Sequence, residues 1–252
     1  MNCFKSFFVV FFLSFVLCVN AFAISIDVVT EEFPPFNYTE KNIIVGFSTD
    51  VVKETLDRAK IDYVIRSYPW ARAYNKALTD KENNVLIYSI GRSKDREKLF
   101  KWVDEPVASL DINLFKLKSR TDIKIKTLED AKNYKMGVVK DDYRTQNLIK
   151  KGFVPKKHLD VVSEDRKNIR KLFKKRVDIV PIDGVVAAYL AGKDGLPFSK
   201  LEKVIPLKDL SVDLYMAFSI HADDALVEKC LKALKGIKKD GTYDKIKGRY
   251  LK

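Results

Sequence analysis

The chain has 252 residues, 46% of them apolar and 32% charged, with 47 Lys and Arg against 34 Asp and Glu. That apolar share supports a packed core and excludes wholesale disorder, and the length fits one large domain or two small ones. Two histidines and three cysteines exclude a multi-site zinc protein and a disulfide-stapled scaffold.

Residues 1–23 read as a secretory signal peptide. Lys5 is the positive n-region, residues 7–19 form an apolar stretch broken only by Ser14, and Ala21-Phe22-Ala23 supplies a small-x-small cleavage site. A retained membrane anchor is the alternative, but these 13 residues fall short of the roughly 20 that span a bilayer. Lipid attachment at Cys18 is disfavoured by Leu17, which stands where a small residue is wanted. Cleavage removes Cys3 and Cys18 and leaves Cys230 with no disulfide partner. Leu226, Ala233, Leu234 and Ile237 surround Cys230 at helical spacing and mark it as a packing residue. The mature chain then has 229 residues, a formal charge of +12 and no second long apolar run, as expected of an exported, soluble, periplasmic protein.

Strands and helices alternate along the mature chain, which argues for an α/β fold. Residues 25–30 read as a strand and 31–42 as a Pro-containing loop. Val51, Val52, Leu56 and Ala59 mark a helix opened by Gly46-Phe47-Ser48, and residues 63–67 form the next strand. Trp70, Ala73, Tyr74, Ala77 and Leu78 follow at i, i+3, i+4, i+7 and i+8, an amphipathic helix with Pro69 at its start. Residues 85–90 and 111–118 are strands, the second alternating apolar and polar. Thr127 to Asp130 resembles a helix-opening cap. A strand at 135–140, a helix ending near Gly152, a short strand at 161–163 and a helix through Ile169, Leu172 and Phe173 continue the alternation. A strand at 177–182 runs into a helix at 185–190, residues 211–220 form a long strand, and helices from Ala222 and Gly241 close the chain. The weak joints fall near 109–112 and 207–211, where long strands follow loops.

Five stretches carry a family likeness: Glu31-Glu-Phe-Pro-Pro-Phe-Asn-Tyr38; Gly46-Phe47 with Asp50; Arg92 to Val103 followed by Pro106; Val177-Asp178 to Asp183; and Lys239 to Ile246 with Tyr250. Together, and in this order, they resemble the family 3 extracytoplasmic solute-binding proteins, the amino-acid receptors of ABC transporters. Ser48 departs from the pattern, standing where an acid is common, and Pro69-Trp-Ala-Arg-Ala73 points to a distinct branch. The resemblance implies a type II periplasmic-binding fold, with two α/β lobes joined by a two-strand hinge and a ligand cleft between them. Lobe 1 would comprise residues 24–110 and 211–252, and lobe 2 residues 111–210. It also implies a monomeric receptor for a polar amino acid or related small carboxylate, working with a permease in the inner membrane.

Residue by residue, Arg96 matches the family's carboxylate-binding arginine, a role suited to a planar fork of donors. The other reading of Arg96 is one more exposed cation in the charged run from Arg92 to Lys101, to which Lys101 itself is assigned. Asp183 matches the acceptor for the ligand's ammonium, and an N-cap role for the following helix is equally compatible with its position. Phe33 and Trp70 match aromatic positions that sandwich the ligand; packing is the alternative for Trp70. Arg72 and Arg92 in the cleft would favour an acidic ligand, whereas Glu31 and Glu32 would favour a cationic one. The turn from Gly137 to Asp142 carries Lys140, Asp141 and Asp142 where related receptors place small or hydroxyl donors for the ligand carboxylate.

Three other functions compete. A periplasmic enzyme of the cyclohexadienyl dehydratase kind needs a tuned acid or base, and neither His158 nor His221 has a nucleophile beside it in the pattern. Nucleic-acid binding fails because the lysines are dispersed over every helix, with no aromatic RNA-binding motif and no zinc spacing. A ligand-sensing subunit would have to act through a separate signalling partner, since the chain shows no signalling domain. No cofactor and no metal is expected.

Overall fold

The computed structural model describes residues 25–82 and 84–251, so the signal-peptide reading lies outside the described residues. The chain begins with β1 (Ser25–Thr30), β2 (Tyr38–Glu40), β3 (Ile43–Val45), α1 (Phe47–Ala59), β4 (Asp62–Ser67), α2 (Trp70–Thr79), β5 (Leu86–Gly91), β6 (Phe100–Trp102) and β7 (Ala108–Leu110). The middle holds β8 (Ile112–Leu117), β9 (Met136–Val139), α3 (Tyr143–Lys150), β10 (Leu159–Val162), α4 (Asp165–Phe173), β11 (Val180–Asp183), α5 (Gly184–Lys193) and β12 (Leu201–Pro206). Then come β13 (Val212–Ser219), α6 (Asp224–Lys239) and α7 (Thr242–Tyr250). Among the described residues no helix is long and apolar enough to cross a membrane.

The first lobe is built on a sheet ordered β4-β1-β5-β13-β6, with β7 also on β13. Strands β4, β1 and β5 run parallel, and β13 lies antiparallel to β5. All six residues of β5 are buried, as a continuous apolar run flanked on both sides demands, whereas edge strand β4 alternates exposed and half-buried positions. The second lobe centres on β8, flanked antiparallel by β11 and β12. The parallel pair β9 and β10 joins it through a bridge from Met136 to Ile179.

The chain crosses between lobes twice, from β7 to β8 and from β12 to β13. The crossings lie side by side: Leu207 N–H donates to Ile112 O (2.8 Å), Ile112 N–H to Ser211 Oγ (3.0 Å), and β7 pairs with β13 in register Leu110 to Val212. Two such strands form a hinge.

The 31–42 loop contains the hairpin β2–β3, turning at Lys41 and Asn42, both at positive φ (48° and 63°). That is the backbone of a tight two-residue turn, here without the Asn-Gly pair that advertises it. The cap at Thr127–Asp130 is present, with Asp130 Oδ2 accepting from the N–H groups of Lys126 and Thr127 (both 2.9 Å), but it opens only one 3₁₀ turn. Strands β6, β7 and β12 escape the pattern reading because two of them are three residues long and the third ends at Pro206. Lys101 is not part of a solvated run. Its ammonium donates to Ala222 O (2.6 Å) and pairs with Asp224 (2.6 Å), tying β6 to the start of α6. Cys230 is fully buried, with Leu226, Leu234 and Ile237 on the same helix face. Gly46 is required where it stands, at φ 121°, because a Cβ there would lie 2.5 Å from Phe36 O.

Candidate functional site

The loop after β1 and the end of β5 in the first lobe face the β9–α3 turn of the second. These are C-terminal strand ends, where α/β folds place ligands. Between them is an inner cavity of about 20 Å³, lined from the first lobe by Glu31, Phe33, Trp70, Ser89 and Arg96 and from the second by Asp142, Tyr143 and Arg144.

Arg96 is 1% exposed. Its Nη1 donates to Gly91 O (3.1 Å), and its Nη2 reaches across to Asp141 O (3.1 Å) and Gln146 Oε1 (3.2 Å). Its Nε has no partner. The guanidinium packs against the rings of Tyr74 (4.9 Å) and Trp70 (5.5 Å). Burial lowers its pKa, and the nearby Asp142 charge works against that shift. Trp70 Nε1 also donates to Asp141 O (2.9 Å), so two first-lobe donors converge on one second-lobe carbonyl. Asp141 offers that carbonyl from a left-handed backbone conformation, φ 57°.

Behind this turn lies a buried ionic cluster. Asp142 caps α3, accepting from Arg144 N (2.8 Å) and Arg144 Nε (2.7 Å). Arg144 also donates to Asp165 Oδ2 (2.7 Å) and Pro181 O (3.0 Å). Burial pushes the Asp142 pKa up, but Arg144 outweighs it and the net shift is downward. Asp165 stays above the ordinary range because burial exceeds the pull of Arg144. Burial acts to lower the pKa of Arg144, and the two aspartates more than reverse it. Glu31 is held well above the usual carboxylate range, first by burial and then by the charges of Asp142 and Asp165.

An outer chamber of about 220 Å³ adjoins the inner cavity, sharing Glu31 and Trp70. Glu32, Ser67, Tyr68, Ser163 and Glu164 are among its walls, and among the described residues no Lys, Arg or His lines it. Glu32 is oriented by Thr39 N–H (2.9 Å), Thr39 Oγ1 (2.6 Å) and Ser67 Oγ (2.7 Å).

Of the residues expected at the site, Arg96, Phe33 and Trp70 line the inner cavity and Glu32 the outer one. The other three do not line either. Asp183 is the N-cap of α5, accepting from Val185 N (2.8 Å) and Val186 N (3.3 Å), while its second oxygen accepts from Asp111 N (3.0 Å) at the crossing strand. Its carboxylate is occupied by backbone, as the capping reading of its position has it. Arg72 lies over the Tyr68 ring at 4.7 Å. Arg92 pairs with Glu97 (2.6 Å) and Asp104 (2.8 Å) and stacks on Trp102 (5.3 Å). Sequence reasoning missed Ser89, whose hydroxyl is buried without a partner at φ 58°, and also Arg144 and Glu164. The only signal for Arg144 was its position two residues after a capping aspartate.

The model of the bacterial extracellular solute-binding proteins, family 3, matches residues 26–252. The chain belongs to this family. It is 23% identical over 229 residues to the arginine-binding extracellular protein ArtP of Bacillus subtilis (strain 168), covering 87% of this chain and 82% of that one. Its fold is similar to a histidine kinase sensor domain with similarity to periplasmic binding proteins (TM-score 0.79, 16% identity, 90% and 96% of the two chains). It is also similar to an ancestral arginine-binding protein bound to arginine (TM-score 0.77, 23% identity, 91% and 99%). The architecture of this family member is the type II periplasmic-binding fold, two α/β lobes on a two-strand hinge.

Proposed function

We propose that this protein is a periplasmic receptor that captures a small polar solute of the amino-acid class by closing its two lobes and delivers it to an ABC permease. The lobes divide at 110/111 and 210/211, and residues 1–23 direct export. The observation that supports this reading is the cavity walled from both lobes, with Arg96 and Trp70 of one donating to the Asp141 carbonyl of the other. Groups that meet only when the lobes meet make closure and binding one event. Arginine is the first solute to test, since ArtP and the ancestral protein are named for it. Scattering should show a smaller radius of gyration with a saturating solute than without. An unchanged radius alongside demonstrated binding would overturn the closing cleft. A sensory output is a second reading, favoured by the likeness to the kinase sensor domain; deletion of the cognate permease would abolish uptake only under the first.

A further inference from the structure

We propose that the cleft is a site for a small organic cation, a guanidine or an amine, whose charged end sits in the outer chamber against Glu31 and Glu164, and that a ligand carboxylate is not required. The inference rests on the receptor reading above and names its ligand class.

The outer chamber runs against the composition of the chain. In a protein of formal charge +13, three glutamates converge on a space of about 220 Å³ that no basic side chain among the described residues lines. Among the described residues none of Glu31, Glu32 and Glu164 is within salt-bridge distance of a cation; Arg144 and Arg170 act on Glu31 and Glu164 from farther off, and Arg166 and Lys193 line the adjoining pocket that shares Glu32 and Glu164. Like charges gathered in a partly desolvated space are costly unless a cation joins them. Glu31 is positioned to meet that cation from the first lobe and Glu164, just before α4, from the second. Trp70 and Tyr68 add aromatic wall, and aromatic surface attracts cations.

The inner cavity speaks against a carboxylate. With the lobes together, both Nη atoms of Arg96 donate, to Gly91 O in its own lobe and to Asp141 O and Gln146 Oε1 across the cleft, so the closed form offers a ligand no free two-pronged fork. Every nitrogen of the Arg144 guanidinium already donates, to Asp142, Asp165 and Pro181 O. A space of about 20 Å³ holds roughly one water. Two buried groups lining it lack partners, Arg96 Nε and Ser89 Oγ. The donor and the hydroxyl together fit a neutral polar group or a bridging water at the inner end of a ligand whose charge lies outside.

Agmatine, which is arginine without its carboxylate, separates the two ideas. Titration calorimetry of the exported protein should give agmatine an affinity within about threefold of that for arginine or tighter, with putrescine binding and glutamate not. Glu31→Gln and, from the opposite lobe, Glu164→Gln should each weaken agmatine at least about tenfold, with the far-UV spectrum unchanged. If agmatine and putrescine fail to bind while arginine or glutamine shrinks the radius of gyration, the cation inference is overturned and the receptor stands. Should no cation and no amino acid bind at ~1 mM, both fall. Full agmatine affinity in both variants would also overturn it.

Discussion

Replacing Arg144 by methionine keeps most of the side chain's length and removes the charge that holds the second lobe's ionic cluster together. The guanidinium is buried between Asp142 and Asp165, with contacts of 2.7 Å to each and 3.0 Å to Pro181 O. Its loss leaves the buried Asp165 and the largely buried Asp142 without their shared cation, Arg96 acting only on Asp142, with Glu31 close enough to feel both. Breaking such a pair from one side costs about 3–5 kcal/mol, a large part of the ~5–15 kcal/mol that keeps a domain folded. Urea titration should therefore lower the midpoint by about 1–2.5 M for a slope of ~2–3 kcal/mol/M. The cost has a definite pH dependence. Without Arg144 the folded-state pKa values of both aspartates rise above their unfolded value of about 3.9. A carboxylate with a raised folded pKa destabilises once pH exceeds the unfolded value, and the penalty disappears as protonation completes. The gap between variant and wild type should be widest near neutral pH and shrink toward about pH 3. A variant within about 1 kcal/mol of wild type at neutral pH, or a gap that ignores pH, would refute the reasoning.

Agmatine affinity should fall as pH is lowered, starting above the ordinary carboxylate range, because burial, Asp142, Asp165 and Glu32 raise the Glu31 pKa against the pull of Arg144. Protonation removes the charge that meets the cation, so a calorimetric profile that stays flat from about pH 8 to 5 would sink this expectation. Gly46→Ala should lose ~1–3 kcal/mol in thermal unfolding, since its φ of 121° and the 2.5 Å approach to Phe36 O leave no room for a methyl. Cys230, whose thiol burial pushes up to about 12, should resist alkylation in the native protein and react only in urea. Rapid labelling without denaturant would show that α6 is not packed as described.

The fold was legible because its signals are periodic. Helix α2 buries Trp70, Ala73 and Ala77 at the spacing of one face, and β5 buries every residue, so local pattern and tertiary role agree. Arg96 was legible through a motif, and its 1% exposure is what separates it from Arg92 four residues earlier. Apart from that motif, composition and spacing do not distinguish the two, because what decides is the crossing of the chain that brings Asp141 and Gln146 against one of them. The acidic chamber was illegible for the same reason. Glu31 and Glu32, Ser67 and Glu164 come from three segments far apart in sequence: the pairing of β1 with β4 brings Ser67 to Glu32, and the double crossover brings Glu164 to both. Asp183 carried two readings at once, and the free N–H groups of Val185 and Val186 occupy one of its oxygens.

The chain holds two tryptophans, and both lie along one file of rings running Trp70, Tyr74, Phe100, Trp102 and Tyr215 in the first lobe. Only Trp70 reaches the other lobe, through its indole N–H to Asp141 O; Trp102 donates to Glu97 O within its own. The molecule thus carries its own optical gauge. When the hinge opens, the Trp70 indole exchanges the Asp141 carbonyl for water and its emission shifts, while Trp102, under the Arg92 guanidinium, keeps a constant environment as the internal reference. Trp102→Phe would leave the moving chromophore alone, and the opening and closing of the cleft could be timed by stopped-flow fluorescence with no attached label.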